Sequence, residues 1–459
     1  AHRRLTVLTG GPGTGKTTTV ARLLAVLHDA AAPADGSRLR VALAAPTGKA
    51  AARLQEAVRE VVSGFEPADR DRVGAPVAST LHRLLGHKPG SSTRFRHDAH
   101  HHLPHDVVVV DETSMVALPL MARLLEALRP DARLVLVGDP DQLASVEAGA
   151  VLGDLVHRHP HLAPPTSPAI VAQAEHALAD APPPEEGEVD DRRALGNGVV
   201  RLRTVHRQGS DSSILPLAAA IRSGDADAVV ALLRAGDASV EFLETADDEP
   251  DEATLAAVRA DAVATGERLV AAARAGDAAG ALAALAQHRV MVAHRRGPAG
   301  RGRWAGQVEA WVEQATGQHA TDSPWAAGRP LLVTTNDADV GLYNGDTGVL
   351  VSEGDGSTGG VVAVFGDPRA PLRVRTHRLP PVETVHAMTV HRAQGSQFDR
   401  VTLVLPPATS PLLTRELLYT AVTRAQTFVR VVGSEEAVRT AVATAVHRAS
   451  GLRTPLPAR

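Results

Sequence analysis

The hydrophobic pattern of this chain alternates between short apolar runs and longer segments with helical spacing. Val20, Leu23, Leu24 and Leu27, for example, recur at i, i+3, i+4 and i+7 behind an apolar run and a glycine-rich turn. Continuous apolar strands that alternate with helices are typical of a parallel sheet covered on both faces. The strands predicted in the first third are 5–9, 41–45, 107–110 and 134–137.

The pattern then changes in two places. Residues 159–198 lose periodicity and are rich in proline and acidic residues, which predicts a linker or a surface insertion. From 330 to 382, short β-segments separated by glycine turns predict a small β-barrel inserted in an α/β domain. The Ala-rich region 211–288 has helical spacing. Further strands are predicted at 199–202, 290–293, 401–405 and 429–432.

Length and composition narrow the class of protein. A chain of 459 residues can form two or three domains with separate cores. The absence of cysteine excludes a disulfide framework, a thiolate nucleophile and Cys-ligated zinc. No apolar run approaches the ~20 residues that span a bilayer, and the net charge of −4 gives no global basic excess. We expect a soluble, cytoplasmic protein without a membrane partner, and the abrupt start without methionine suggests that a domain precedes it.

The turn after the first predicted strand fits the pattern G-x-x-x-x-G-K-[ST] without a mismatch. Such a turn directs backbone N–H groups and a helix N-terminus at one point, where a nucleotide polyphosphate binds. Lys16 would contact the β- and γ-phosphates, and the Thr17 hydroxyl would bind Mg²⁺. The candidate phosphate-binding residues are Gly10, Gly11, Pro12, Gly13, Thr14, Gly15, Lys16, Thr17 and Thr18.

An acidic pair, Asp111 and Glu112, follows the predicted strand 107–110. In P-loop enzymes the first acid of such a pair holds Mg²⁺ and the second can orient and deprotonate the attacking water. Gln142 follows the strand 134–137, at the edge where ligands of open α/β sheets bind. Its amide could contact the γ-phosphate or the water, and an ordinary turn is the alternative.

Three other segments each have two interpretations. The turn with Thr47 and Lys49 suits a nucleic-acid phosphate or is a plain βα loop. The histidines between 97 and 105 suggest a metal site or a solvated loop. The arginine-rich segment 289–303, beside Trp304 and Trp311, suggests a nucleic-acid contact or a solvated charged loop.

Seven segments resemble, in order, the helicase motifs of superfamily 1. The amino-acid sequences of several are similar to those of the RecD family, the alpha subunits of exodeoxyribonuclease V. The segments 388–396 and 414–424 carry the most specific likeness, and 336–348 adds to it. The resemblance covers nearly the whole chain apart from 159–198 and the Ala-rich region. The seven segments are 10–18, 45–54, 78–86, 107–116, 134–143, 385–398 and 414–425.

The resemblance implies two RecA-like parallel-sheet P-loop domains with ATP between them. The first would cover 1–158, with a small insertion at about 87–105, and 159–198 would link it to the second. The second would comprise 199–329 and 383–459, separated by the inserted β-barrel at 330–382, which is similar to the family's 2B domain.

The same resemblance implies roles for individual residues. Lys16, Asp111, Glu112 and Gln142 would act in ATP hydrolysis, with Mg²⁺ held by Thr17 and Asp111. Arg207 and Arg424 would approach the γ-phosphate as arginine fingers, although the sequence around Arg207 departs from the more aromatic family pattern. Gln394 and Gly395 would line the nucleotide site. The residues that would contact DNA are Thr47, Lys49, His82, Asn344, Thr389 and His391.

The implied function is that of an ATP-dependent 5′–3′ motor on single-stranded DNA in double-strand-break repair and recombination. Its implied partners are DNA ends and RecB- and RecC-like subunits. The adenine-contacting glutamine of the family lies upstream of this chain's first residue. The alternatives are a free-standing RecD-like helicase, the helicase part of a relaxase, or an ATPase switch that does not translocate. A nuclease is disfavoured, because we see no separate set of carboxylates with metal-ligand spacing.

Overall fold

A computed structural model describes residues 4–30, 38–87, 94–145, 149–156, 198–205, 212–246, 250–317, 325–337, 339–353, 360–446 and 452. The chain separates into two compact units. The first consists of residues 1–207 and 447–459, and the second of residues 208–446. The predicted linker 159–198 lies outside the described residues except for Gly198, and Arg207 also lies outside them.

A parallel sheet of six strands forms the first unit. The strands are β1 (Leu5–Gly10), β2 (Val41–Ala45), β3 (Ala78–Thr80), β4 (Val107–Val110), β5 (Arg133–Gly138) and β6 (Val199–Leu202). Their order is β3-β2-β4-β5-β1-β6. The four valines of β4 are completely buried, as expected for a central strand with both faces covered.

Helices cover both faces of this sheet. They are α1 (Lys16–Ala30), α2 (Gly48–Ser63), α3 (Pro67–Val73), α4 (Leu81–Leu85), α5 (Leu118–Ala127) and α6 (Val151–Val156). One core contains Leu24 and Val109 and the other contains Leu124 and Val110. Alternate residues of β4 therefore enter opposite cores, which explains why its sequence is continuously apolar.

Two predicted assignments to the second domain are wrong. Val199–Leu202 pairs in parallel with β1 and completes the first sheet, because its apolar side chains bury against that unit's cores. Leu452, predicted in the second domain, also packs against a core of the first unit. Both segments therefore belong to the first unit although the chain reaches them after long intervening segments.

A second parallel sheet forms the centre of the second unit, in the order β14-β8-β15-β16-β7. Its strands are β7 (Val240–Glu244), β8 (His288–Val292), β14 (Ala387–Thr389), β15 (Phe398–Val404) and β16 (Ala425–Gly433). The prediction missed β7, whose partly exposed residues lie at the sheet edge inside an Ala-rich region with helical spacing. The predicted fold class, α/β with two parallel-sheet domains, is confirmed.

The helices of this unit are α7 (Ile214–Ser223), α8 (Ala226–Ala235), α9 (Glu252–Arg274), α10 (Ala278–Gln287), α11 (Arg301–Thr316), α12 (Val390–Ala393), α13 (Arg415–Val422) and α14 (Glu435–Ala443). Trp304 and Trp311 lie on α11 and are buried in its core. Arg289 is buried as well and donates hydrogen bonds to the carbonyls of Val385 and Leu285. These residues are therefore not available for the nucleic-acid contact that the sequence suggested.

A third sheet corresponds to the predicted barrel. It comprises β9 (Pro330–Val333), β10 (Thr347–Ser352), β11 (Val361–Phe365), β12 (Leu372–Arg375) and β13 (Val382–Thr384). The strands are antiparallel in the order β12-β11-β10-β9-β13. In the part of the chain that the structure describes, no ladder joins β12 to β13, so an inserted antiparallel sheet is present but a closed barrel is not confirmed. Alternate valines of β10 and β11 pack against α9 and α10.

None of the helices within the described ranges is long and apolar enough to cross a membrane.

Candidate nucleotide-binding and nucleic-acid sites

The glycine-rich turn between β1 and α1 has a conformation that its glycines permit. Gly13 and Gly15 have φ values of 77° and 81°, in the left-handed region that side chains disfavour. A Cβ at Gly10 would lie 2.4 Å from the Thr14 hydroxyl oxygen. That hydroxyl donates to the Gly11 carbonyl over 2.8 Å and fixes the turn. The arrangement brings the N-terminus of α1 close to the end of β1, as an anion cradle requires.

Lys16 is held inside this turn. Its Nζ donates hydrogen bonds to the carbonyl oxygens of Gly10, at 2.7 Å, and Gly11, at 2.9 Å. Both partners belong to the turn itself, so the ammonium group serves the loop and not a hydrophobic core. Thr17 and Thr18 follow in the first turn of α1 and remain partly accessible.

Asp111 follows β4, and one oxygen of its carboxylate accepts a hydrogen bond from the Glu112 amide over 2.8 Å. Burial, and then the charge of Glu112, raise the pKa of Asp111 to about 6, whereas Lys16 opposes this shift. Lys16 and Asp111 therefore interact although they are 95 positions apart in the chain. A carboxylate that is poorly solvated beside a second acid is a favourable ligand for a divalent cation.

Glu112 has a φ of 49°, and it is the one non-glycine residue with positive φ among the residues that the structure describes. This conformation costs about 1–3 kcal/mol for a residue with a side chain. The following 3-10 turn, Thr113–Met115, holds it in place, since the buried Thr113 hydroxyl donates to the Val110 carbonyl over 2.9 Å. The backbone thus bends sharply at Glu112, directly after the residue that follows β4.

Gln142 is buried, and its Nε2 donates to the carboxylate of Asp139 over 3.0 Å. Asp139 is 1% exposed and also accepts from the Asp141 amide. Sequence reasoning gave no role to Asp139, whose carboxylate accepts this hydrogen bond and so holds the Gln142 amide. The available signal was its position directly after the apolar strand β5.

The order of the strands brings the turns that carry Lys16, Asp111 and Gln142 to one edge of the sheet. β5 pairs with β1 on one side and β4 on the other, all in parallel. The turns that carry Lys16, Asp111 and Gln142 therefore leave the same edge of three adjacent strands. The hydroxyl of Thr17 and the carboxylate of Asp111 are oxygen donors of the kind that Mg²⁺ prefers. The residues present fit a Mg²⁺–nucleotide.

The candidate DNA-contacting residues of the first unit have local structural roles. Thr47 is the N-cap of α2, and its hydroxyl oxygen accepts from the Ala50 amide over 3.2 Å. Lys49 follows in the first turn of α2. His82 is exposed on α4, and its ring lies within about 6 Å of the rings of His87 and Phe95.

The candidates in the second unit group around α12. Thr389 is its N-cap and accepts from the Arg392 amide over 3.3 Å, and His391 is partly exposed on the helix. Gln394 ends α12, and Gly395 continues with a φ of 71°. Asn344 lies apart from them, exposed in the turn before β10, where its backbone N–H donates to the side-chain oxygen of Asn336.

Arg424, predicted as an arginine finger, is 3% exposed within the second unit. Its Nε donates to the Thr420 carbonyl over 3.2 Å and its Nη1 to the Ser396 carbonyl over 3.3 Å. It therefore ties the end of α13 to the segment that follows α12. The structure describes no placement for Arg207.

The histidine-rich segment makes local hydrogen bonds. His97 Nδ1 lies within hydrogen-bond distance of the carbonyls of His101 and His102, and Asp98 accepts from two backbone amides. No group of three or more His, Asp or Glu side chains with metal-binding geometry occurs among the described residues.

Comparison with known proteins gives matches over most of the chain. Residues 1–148 match an AAA domain family, and residues 384–432 match a UvrD-like helicase C-terminal domain family. The chain is 53% identical to the RecBCD enzyme subunit RecD of Mycobacterium tuberculosis over 449 residues, 98% of this chain and 70% of that protein. It is 32% identical to the ATP-dependent RecD2 DNA helicase of Deinococcus radiodurans, over 96% of this chain and 49% of that protein.

Among solved structures, the Pif1 helicase from Bacteroides in complex with ADP-AlF3 and ssDNA matches with a TM-score of 0.45 and 16% identity. The match covers 94% of this chain and 90% of that one.

Proposed function

The chain belongs to the family of RecBCD RecD subunits, and from this premise we propose that it is an ATP-hydrolysing DNA helicase of superfamily 1. In this proposal it moves 5′ to 3′ on single-stranded DNA and acts with RecB- and RecC-like subunits in double-strand-break repair and recombination. We place it in the cytoplasm, where such a complex meets DNA ends.

The observation that carries the proposal is the convergence of three turns at one sheet edge in the first unit. The turns present an ammonium group, a carboxylate pair and an oriented amide. A P-loop fold without a nucleotide would gain nothing from an acidic residue such as Asp111, whose pKa is raised by burial against the opposing charge of Lys16. It would also gain nothing from a buried Asp139 that holds the Gln142 amide. Together these groups match the parts that ATP hydrolysis uses.

Each residue contributes a separate step to the proposed mechanism. The P-loop amides and Lys16 bind the phosphates, and Thr17 and Asp111 would hold Mg²⁺. When bound, this Mg²⁺ would supply neutralisation of the charge on the transferred phosphoryl group. Glu112 orients the attacking water and accepts its proton, while Gln142, held by Asp139, contacts the water or the γ-phosphate.

Arg424 and Arg207 are proposed to stabilise transition-state charge, and Gln394 and Gly395 to link the nucleotide state to DNA binding. An arginine finger accelerates hydrolysis only when it reaches the phosphate, so hydrolysis and domain movement become one event. The support for Arg424 is its place in the segment 414–425, which resembles a helicase motif of superfamily 1.

DNA binding is assigned to Thr47, Lys49 and His82 in the first unit and to Asn344, Thr389 and His391 in the second. The hydroxyl oxygens of Thr47 and Thr389 accept from amides of their own helices. Thr47 is partly exposed, so its hydroxyl proton remains able to donate to a phosphate oxygen, whereas Thr389 is 4% exposed and supports the site as the N-cap of α12. Contacts of this kind read no base sequence, so binding should tolerate any sequence and weaken as salt rises.

A second candidate function is a helicase that works without RecB- and RecC-like partners. The 32% identity to a protein named ATP-dependent RecD2 DNA helicase favours it. The mass of the native assembly separates the two candidates, since a heterotrimer supports the first and a single chain the second.

The proposed function is tested with Lys16→Ala and an ATPase assay with and without single-stranded DNA. We expect the unmodified chain to hydrolyse ATP faster on DNA and the variant to lose turnover, because no other cation in the turn neutralises the phosphates. The fold should survive, since the Nζ contacts are confined to the turn.

Arg123→Ala is the control, because Arg123 is an exposed cation paired with Glu126 on α5. It should leave turnover unchanged. DNA-stimulated turnover in Lys16→Ala at the level of this control would refute the assignment of the nucleotide site.

A further inference from the structure

Two neighbouring strands of the second unit end side by side at one sheet edge. β14 and β8 are parallel, and Thr389 lies opposite Val292. The helix α12, which carries the candidate DNA contact His391, continues from β14. Residues 293–303, the part of the arginine-rich segment 289–303 that lies beyond β8, continue from that strand. The tertiary structure therefore places this segment beside the proposed DNA contacts, although almost 90 residues separate the two in the sequence.

An ion triad joins these two segments. One carboxylate oxygen of Glu383 lies 2.9 Å from Arg301 Nη1 and 3.2 Å from Arg392 Nη1. Arg301 begins α11, Arg392 lies on α12 next to His391, and Glu383 is on β13. The two arginine side chains are 22% and 28% exposed and that of Glu383 is 42% exposed.

The charges of the triad do not balance. Two guanidinium groups share one carboxylate, so the triad carries a net positive charge. Arg295 and Arg296, in the loop between β8 and α11, are exposed and add to it. Because the Glu383 carboxylate is 42% exposed, water screens both ion pairs and their contribution to stability is small. A role in binding an anion explains the arrangement better than a role in folding.

We propose that Arg301 and Arg392 form a binding site for a backbone phosphate of single-stranded DNA, and that Glu383 is the built-in counter-ion which this phosphate displaces. The inference rests on the proposed function. Guanidinium groups bind phosphate through paired N–H donors, and Arg392 is one residue from His391, so the strand would continue from one contact to the next. While DNA is absent, Glu383 neutralises one positive charge and keeps both side chains oriented.

The test measures the affinity of the 459-residue chain for a labelled oligo(dT) at several salt concentrations by fluorescence anisotropy. Arg301→Gln and Arg392→Gln each remove one cation, so each should reduce the slope of log K against log salt by about 0.7. Glu383→Gln removes the competing charge and should tighten binding about 3- to 10-fold at low salt, the effect of one unit charge near a phosphate in water-like surroundings.

Matched controls lie near β7, the edge strand opposite β14 in the parallel sheet of the second unit. Arg234, on α8 next to β7, also contacts two carboxylates, those of Glu244 and Glu435. Its side chain is 48% exposed. Arg234→Gln and Glu244→Gln should leave both the affinity and the salt slope unchanged. Circular dichroism and thermal unfolding of all five variants show whether each one is folded.

Each outcome is decisive. If Arg301→Gln and Arg392→Gln keep the slope of the controls, or if Glu383→Gln binds DNA more weakly, the phosphate site is rejected. If one of these results is obtained with an unmodified chain that binds oligo(dT) and shows DNA-stimulated ATP hydrolysis, only the phosphate site is rejected and the proposed function stands. An unmodified chain that neither binds DNA nor responds to it would overturn the proposed function itself.

Discussion

At the scale of single residues, the functional groups of the first unit are oriented mostly by their nearest neighbours in sequence. Lys16 is fixed by the carbonyls of its own turn, and Gln142 is fixed by Asp139 three positions before it. Short local hydrogen bonds of this kind place a side chain before a ligand arrives, which lowers the reorganisation needed for reaction.

The acidic pair permits a prediction that separates its two members. Glu112→Gln keeps the shape of the side chain but removes the base, so the variant should bind Mg²⁺–ATP and hydrolyse it about 10²- to 10⁴-fold more slowly. Asp111→Asn should instead weaken Mg²⁺-dependent nucleotide binding, because a neutral amide is a poorer ligand for a hard cation. Single-turnover hydrolysis measures the effect of Glu112→Gln. Equilibrium binding of a labelled nucleotide, with and without Mg²⁺, measures the effect of Asp111→Asn.

Binding without Mg²⁺ is the internal control, since neither variant should change it. Equal losses of Mg²⁺-dependent affinity in the two variants would contradict the division of roles.

At the scale of elements, buried polar contacts join β8 to its neighbours. His288 on β8 is 6% exposed and shares a hydrogen bond of 2.9 Å with the Thr402 hydroxyl on β15. Asp261 on α9 pairs with Arg400 and Arg430 on the adjacent strands β15 and β16. These contacts fix the register of the second sheet against the helix that covers it, at the cost of burying groups that titrate.

This burial predicts a loss of stability in acid. Burial is the main cause that lowers the pKa of His288, and that of His386, to about 3. In the unfolded chain a histidine titrates at about 6.5. The unfolded state therefore binds protons first as the pH falls below 6.5, and the free energy of unfolding decreases down to about pH 3. At pH 5 each histidine should lower the free energy of unfolding by about 2 kcal/mol relative to its value at pH 7.

The measurement is urea unfolding at pH 7 and pH 5 followed by tryptophan fluorescence. All three tryptophans of the chain, Trp304, Trp311 and Trp325, lie in the second unit, so the signal reports on that unit. His288→Gln should reduce the difference between the two pH values, and the exposed His100→Gln serves as control. An equal pH dependence in the two variants would show that burial of His288 is not the cause.

At the scale of the whole molecule, the main prediction is the direction of movement. The motor is expected to move 5′ to 3′ along the strand that it binds, as the resemblance to the RecD family implies. A motor with two nucleotide-driven domains moves a strand only if the DNA contacts of each domain tighten and loosen in alternation. Unwinding assays with partial duplexes that carry either a 5′ or a 3′ single-stranded tail measure this direction.

A second motor of opposite polarity in a complete complex would obscure the result, so it must first be inactivated at its own P-loop lysine. Unwinding only from the 3′ tail after that control would reject the predicted direction and leave the ATPase assignment intact.

The candidate nucleotide site could be proposed from the sequence, because its parts are local. Gly13, Gly15 and Lys16 belong to one continuous turn, and Asp111 and Glu112 directly follow an apolar strand. The periodicity of the strands also predicted the parallel sheets, since buried central strands are apolar at every position. The strand β7 was missed because an edge strand is only partly buried and its short pattern was lost among Ala-rich helices.

The class of fold and the family could be predicted from the sequence alone, because strand periodicity and the family motifs depend on residues that are close together in the chain. The role of the P-loop turn in nucleotide binding stays a prediction. The tertiary fold alone established that Val199–Leu202 completes the first sheet. It also decided that Glu383 brings Arg301 and Arg392 together. The physical reason is that strand partners and ion triads are chosen by packing between distant segments, and local periodicity carries no information about which segments meet.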